Sequence, residues 1–248
     1  MKNKIGEYNI VWQEEISSTN EYASQYLKKH KNCDKIVIGA YSQYSGRGQR
    51  DNKWESQDYK NLTISILFKP SFVEAMSQFR ISEIISLGVF DYLSVRTKDV
   101  KIKWPNDIYI NDKKIAGILI EHLIMGPSIA SSICGLGLNI NQEIFKSDAP
   151  NPVSLKQITG EEYDIDNELE DLLVCIDRRY KMLEEGGAVL LRRDYHSALY
   201  RRNEYHMFKN EFKTFEAKIV GVNEIGQLVL EDKTGESTFY NFKEVAFM

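Results

Sequence analysis

Apolar residues recur along this chain at two spacings, and the switches between them divide it into elements. Asn9 to Glu14 reads as a short strand. At Ser18 the pattern turns helical. Ser18 and Glu21 form a Ser-x-x-Glu capping box, and Tyr22, Ala23, Tyr26 and Leu27 follow at helical spacing. Lys35 to Gln43 predicts a second strand, running into a loop with glycine and arginine from Ser45 to Lys53. Leu62 to Phe68, LTISILF, has the length and make-up of a buried strand. Between Val73 and Val95, Phe79, Ile81, Ile84, Ile85 and Leu93 predict one long buried helix.

From Val100 to Ile124 the pattern is that of strands joined by tight turns. Asn111-Asp112 supplies turn chemistry between Ile108–Ile110 and Ile115–Ile120. Ile129 to Ile140 predicts a further strand ending in GLGLNIN, and 141–167, with Pro150 and Pro152, reads as a long connection. Helices are expected over Glu168–Glu184 and Ala188–Arg201. Past Phe212 the period shortens to strands at Ala217–Val222, Gln227–Glu231, Ser237–Asn241 and Val245–Phe247, with turns at Gly226 and Thr234-Gly235. So small a set of strands cannot hide both faces alone and should dock on the larger part. The expectation is an α+β protein: a larger domain over 1–210 and a small β domain over 211–248.

Composition narrows the function classes. A net charge of −4 and a pI near 5.7 argue against a bulk nucleic-acid binder, while leaving room for a locally positive pocket. Cys33, Cys134 and Cys175 lie far apart, as do His30, His122, His196 and His206, so no zinc or dithiol spacing is present. The N-terminal stretch has no apolar segment of signal-peptide type, and no run approaches the roughly 18 apolar residues a membrane span needs. A cytoplasmic protein with reduced thiols, bound to no membrane, is expected.

Four segments carry chemistry, and each alone has a plain structural reading. Ser18-Thr19-Asn20 could be a helix cap. Gln43-Tyr44-Ser45-Gly46-Arg47-Gly48-Gln49-Arg50-Asp51-Asn52-Lys53-Trp54 could be a surface loop, although its Gly-x-Gly turn lets backbone N–H groups approach an anion beside Arg47 and Arg50. It lacks the Gly-Lys-Ser/Thr of a P-loop and the third glycine of a dinucleotide fingerprint. Lys103-Trp104-Pro105-Asn106-Asp107 places Lys103 and Asp107 on either side of a proline bend, and Lys114 opens the next strand as either a solvated hairpin lysine or a ligand. The paired glycines of Gly135-Leu136-Gly137-Leu138-Asn139-Ile140-Asn141 suggest a bulge or the close approach of backbone or ligand.

Together and in this order, from about Ser17 to Asn141, the four segments resemble biotin–protein ligases. That family carries a Ser-Thr-Asn helix start, a Gly-Arg-Gly-(Arg/Gln) loop ending near Trp, Lys-Trp-Pro-Asn-Asp, Lys-x-Ala-Gly-Ile-Leu-x-Glu and Gly-x-Asn-x-Asn. GVNEIGQLVLE and EVAFM look like its SH3-like end. The resemblance implies a class II synthetase-like biotin/lipoate ligase fold, a mixed β-sheet with flanking helices plus a small C-terminal SH3-like β-barrel. It implies an enzyme that forms biotinoyl-5′-AMP from biotin and ATP with Mg²⁺, then transfers biotin to a lysine of a biotin carboxyl carrier protein. Ser18, Thr19, Asn20, Gln43, Gly46, Arg47, Gly48, Gln49, Lys114 and Gly117 are implied to bind biotin. Arg50, Asn52, Trp54, Lys103, Asn106 and Asn139 are implied to bind ATP and the adenylate, with Lys114, Arg47 and Asp107 catalytic and no resident metal. The sequence departs from the family at Asp51, where glycine is usual, and at Asn52, where arginine is common. That bears on the loop's phosphate contacts.

A lipoate–protein ligase or octanoyltransferase would share the fold and a similar lysine, without the Lys-Trp-Pro-Asn-Asp and Gly-Arg-Gly pairing. A non-catalytic adenylate-binding regulator is the reading from a different class. Only 17 residues precede Ser18, too few for a winged helix-turn-helix, so no DNA partner is expected. Monomer and homodimer both remain open.

Overall fold

The structure, a computed structural model, describes residues 2–49, 52–147 and 149–248. Its main layer is an eight-stranded mixed sheet in the order β1-β2-β3-β4-β8-β7-β6-β5. The strands are β1 (Lys4–Ile5), β2 (Tyr8–Ile16), β3 (Ile36–Gln43), β4 (Leu62–Phe68), β5 (Val100–Lys103), β6 (Asp107–Ile110), β7 (Lys113–Met125) and β8 (Ser128–Leu138). β1 and β2 lie ahead of Ser18. β2 and β3 run parallel, joined through helix α1 (Thr19–Lys29), and the remaining neighbours are antiparallel. β4 is buried at every position because it lies centrally with both faces covered.

The helices divide between the two faces. α1 packs on β3, β4 and β8 over a small core of Ala23, Ile36, Ile38, Leu67 and Ile133. α2 (Phe79–Ser94), α4 (Ile165–Glu184) and α5 (Ala188–Ala198) pack together over the other face and enclose the main core. That core runs without a break into a second, five-stranded antiparallel sheet, through Phe208, Ala217, Ile219, Leu228 and Val245. The second sheet has the order β12-β11-β10-β9-β13, with β9 (Tyr205–Asn210), β10 (Thr214–Val222), β11 (Leu228–Glu231), β12 (Ser237–Tyr240) and β13 (Val245–Phe247). The small β unit therefore docks as expected.

Several boundaries differ from the sequence reading, each for a visible reason. Residues 73–78 do not join the long helix, because Ile129 N donates to Val73 O at 3.1 Å and Ala75 N to Pro127 O at 2.8 Å. Only a 3₁₀ turn at Ala75–Ser77 precedes α2. Ser18 is the N-cap of α1 with extended backbone, but its side chain makes no capping bond; Ser17 Oγ reaches Glu21 at 2.6 Å instead. The true capping box, Ser154 with Gln157, starts α3 (Leu155–Thr159) inside the expected connection, and Gly160 at φ 79° closes it. β9 lies ahead of the expected division at 210/211, yet its partners β10 and β13 lie beyond it.

Candidate active site

The site is built on glycines. In the β7–β8 ladder Gly117 stands directly opposite Gly137, and Leu119 opposite Gly135. Lacking side chains, these glycines leave a trough that two other groups fill. The Trp54 indole covers Gly117 and Gly137: a Cβ on Gly137 would meet Cε2, Nε1 and Cζ2 at under 3.0 Å, and one on Gly117 would meet Cζ3 at 2.9 Å. Asn20 covers Gly135 in the same manner.

Backbone contacts hold both covers in place. Trp54 N donates to Gly46 O at 3.0 Å and Gly48 N to Asn52 O at 2.7 Å, so the arginine-bearing loop closes on itself. Gly46 must lack a Cβ because Trp54 O and Gln43 Nε2 occupy that space. Gln43 in turn accepts from Thr19 N at 2.7 Å. Asn20 Oδ1 accepts from Ser65 Oγ at 2.6 Å, while its Nδ2 donates to Leu119 O at 3.2 Å and Glu121 Oε2 at 2.8 Å. Every polar atom of this amide is spoken for, which fixes the α1 N-terminus to the sheet.

Charge enters from β5, β6 and β7. Lys114 Nζ lies 2.7 Å from Asp107 Oδ1 and 5.6 Å from the Trp54 ring centroid. Lys103 Nζ donates to Tyr109 Oη at 3.0 Å and sits 4.6 Å from that ring's centroid and 5.2 Å from that of Phe247. Burial pushes the Lys103 ammonium below the usual lysine range, and burial likewise pushes the Tyr109 phenol up. Asn106 Nδ2 is anchored on Ile118 O at 2.7 Å. The peptide bond between Trp104 and Pro105 is cis. Trp104 Nε1 donates to Gly226 O at 2.9 Å, tying the bend to the second sheet.

These groups line a cavity of about 530 Å³. Among its described lining residues Arg47, Lys53, Lys103, Lys114 and Lys243 are cationic and Asp107 alone is anionic. A chain of net charge −4 thus gathers positive charge here. Three buried polar atoms of the lining have no hydrogen-bond partner among the described residues: Asp107 Oδ1, which keeps its ion pair with Lys114, and Trp54 Nε1 and Gln49 Oε1, which have nothing in its place. Such orphans are costly unless a ligand pairs with them.

Of the residues expected from the sequence, Ser18, Thr19, Asn20, Gln43, Arg47, Gly48, Gln49, Asn52, Trp54, Lys103, Asn106, Asp107, Lys114 and Gly117 come together in this cavity. Gly46 and Asn139 do not line it. Gly46 shapes the loop from behind. Asn139 Nδ2 donates to Val153 O at 3.0 Å, and its buried Oδ1 is left without a partner among the described residues. Arg50, and Asp51 beside it, lie outside the described residues. Sequence reasoning missed the wall contributed by Phe242, Lys243, Val245, Ala246 and Phe247, because EVAFM marked the SH3-like end and not a part of the site. It also missed Thr63, which the alternation of β4 could have placed on the pocket face.

Comparison with known proteins adds the decisive observation. The pattern of the biotin/lipoate A/B protein ligase family matches residues 12–139, just over half of the chain. The chain belongs to that family. It is 27% identical over 249 residues to the bifunctional ligase/repressor BirA of Bacillus spizizenii, covering 97% of this chain and 75% of that protein. It is 26% identical over 203 residues to the biotin–[acetyl-CoA-carboxylase] ligase of Paracoccus denitrificans, covering 79% of this chain and 84% of that one. Among solved structures, the biotin protein ligase of Aquifex aeolicus in complex with biotin and ATP superposes with a TM-score of 0.77 at 26% identity, over 97% of this chain and 98% of that one.

Proposed function

We propose that this protein is an ATP-dependent biotin–protein ligase: it joins biotin to AMP, then passes biotin to a lysine of a carboxyl carrier protein. The observation that carries the reading is the cavity itself, lined among the described residues by five cations and one carboxylate around an indole seated on paired glycines. The relatives are named for this activity, and the Aquifex aeolicus structure holds biotin and ATP.

Adenylation drives a carboxylate into the α-phosphate of ATP. At about 4 Å two unit charges repel by roughly 1 kcal/mol in water and about 4 kcal/mol at an effective dielectric of 20. Lys114 is placed to offset this. It exchanges its ion pair with Asp107 for the incoming anions, and Arg47 and Lys103 add charge from either side. Ser18 and Thr19 offer hydroxyls for the polar biotin ring, Asn20 and Gln43 brace the helix start that carries them, and Gly117 gives the indole beside the ligand its seat. Asn52, Asn106 and Trp54 flank the nucleotide and Arg50 completes its contacts, while Asn139 acts from behind the cavity by holding Val153. Mg²⁺ arrives with the nucleotide, since ATP in the cell is largely the magnesium complex; its role is to neutralise polyphosphate charge.

The adenylate is a reactive mixed anhydride that must be kept from water. The loop from Gly46 to Trp54, closed on itself by two backbone bonds, covers it. Once Lys114 turns to the phosphate, the Asp107 carboxylate is free to orient and deprotonate the acceptor amine. We place the division between the catalytic and SH3-like units just before Tyr205, where the second sheet begins. No helix among the described residues is long and apolar enough to cross a membrane, and action in the cytoplasm fits an enzyme that meets carboxylases there.

Exchange of radiolabelled pyrophosphate into ATP tests the reading. Biotin should support exchange, and lipoate and octanoate should not. Exchange driven by lipoate with none from biotin would overturn it.

A further inference from the structure

We propose that Lys243, in the second sheet, binds the β- and γ-phosphates of ATP; the inference rests on the ligase reading above. Lys243 lies in the turn from β12 to β13, closed by Glu244 N donating to Asn241 O at 3.1 Å. It occupies the third position of that turn with φ 69°, a left-handed conformation that glycine takes without strain and lysine does not. From this turn Lys243 lines the active-site cavity.

Among the described residues no carboxylate engages its charge. Both oxygens of the neighbouring Glu244 are taken by Asn241, from its N–H at 2.6 Å and its Nδ2 at 3.0 Å. Lys243 has no ion pair among the described residues; its ammonium lies 5.8 Å from the Phe242 ring, itself part of the cavity wall. The other cations differ in kind. Lys114 pairs with Asp107, Lys103 bonds Tyr109, and Arg47 approaches Glu121 at 3.5 Å. Lys53, on the glycine-bearing loop, resembles Lys243: exposed, lining the cavity, and without an ion pair among the described residues.

Lys103 and Lys114, half-buried and bonded within the cavity, suit the reacting carboxylate and α-phosphate, and the two lysines without an ion pair among the described residues suit the further phosphates. Lys243 gives the second sheet a direct part in nucleotide binding. The contact is a charge-assisted one to phosphate in a partly solvated place, so its loss should be felt severalfold rather than a thousandfold.

The test is pyrophosphate exchange by the full chain and its Lys243→Gln, Lys243→Gly and Lys243→Arg variants. MgATP is varied at saturating biotin, and biotin at saturating MgATP. The Gln and Gly variants should raise the KM for MgATP by about three- to tenfold. Their KM for biotin should stay within about twofold, and the Arg variant should track the parent. The Gly variant should unfold no earlier than the parent, because glycine relieves the turn. Biotin transfer from preformed biotinoyl-AMP, which carries no β- or γ-phosphate, should be unchanged in all. An unaltered KM for MgATP in Lys243→Gln, an Arg variant as weak as the Gln variant, or slowed transfer from preformed adenylate would each overturn the inference. If the parent itself showed no biotin-dependent exchange, the ligase reading would fall. Calorimetric titration of parent and Lys243→Gln with MgATP would still decide the lysine's role, equal affinities overturning it and a loss supporting it.

Discussion

Gly137→Ala puts the smallest possible side chain where the Trp54 indole now rests. A Cβ there would lie under 3.0 Å from three indole atoms, whereas non-bonded carbons settle at about 3.5–4.0 Å. The indole must withdraw by on the order of 1 Å, a displacement able to cost about 10²-fold in rate when it misplaces reacting groups, or roughly 2.7 kcal/mol of barrier. Folding should survive, because alanine suits the β8 ladder and the loop carrying Trp54 can yield more readily than the sheet. Gly117→Ala offers an internal scale: its Cβ meets the same indole at 2.9 Å and asks for a smaller shift, so its loss of rate should be smaller. Single-turnover formation of biotinoyl-AMP reads the rate, thermal unfolding checks the fold, and a red-shifted Trp54 emission reports the withdrawal. A Gly137→Ala enzyme with a rate within threefold of the parent and an intact fold would refute the idea that the indole's seat on the glycines sets the site's geometry.

Three further outcomes follow from the same geometry. Lys114→Ala should slow adenylate formation by well over tenfold with the fold intact, since a contact made chiefly in the transition state is worth roughly 2–4 kcal/mol; unchanged single-turnover kinetics would leave Lys114 a hairpin residue. Asn139→Ala should leave biotin affinity near normal and impair use of MgATP, and should also lower stability by about 1–3 kcal/mol because Val153 O loses its donor in a buried place; calorimetry and denaturant titration measure the two effects. Stability should fall between pH 7 and pH 5 through His196, whose Nε2 lies 3.0 Å from both Val222 N and Val222 O and whose pKa is held below the usual histidine value, first by burial. The unfolded chain binds the proton more readily there, so the contribution is present above about pH 6.5 and lost as the pH falls; a His196→Gln variant with the same pH profile as the parent would contradict this.

Much of the site was legible because its chemistry rides on short motifs. Ser18-Thr19-Asn20, the glycine-bearing loop and Lys103 to Asp107 each bring adjacent residues, and once one is placed the others follow. What was not legible depends on tertiary contacts. Ser18 has the look of a capping-box residue, yet it turns to the cavity and leaves Glu21 to Ser17. Residues 73–78 have helical composition, but Val73 and Ala75 spend backbone bonds on Ile129 and Pro127 at the start of β8. The Phe242 to Phe247 wall becomes part of the site only because the second sheet docks beside Trp104, a placement that no local pattern encodes.

The least legible feature is also the one that puts Lys114 in the site. Successive side chains of a strand point to opposite faces, so Lys114 and Gly117, three residues apart, would face opposite ways on a regular β7. The β6–β7 ladder is not regular. Asp107 pairs with Gly117 and Ile108 with Ala116, but Tyr109 pairs with Lys114, so Ile115 is an extra residue on one strand. This bulge turns Lys114 onto the same face as Gly117, opposite Tyr109 and within 2.7 Å of Asp107. Neighbouring backbone secures it: Lys114 N donates to Asn151 O, Val153 N to Lys114 O, and Asn139 N to Ile115 O, each at 2.9 Å. The segment around Pro152, which reads in sequence as mere connection, is therefore the clamp on the bulge. Asn139, through its bond to Val153, is the pin on that clamp. The interval of three between Lys114 and Gly117 looks like a defect of strand periodicity, and it is the bulge that lets the lysine share a face with the glycine under Trp54.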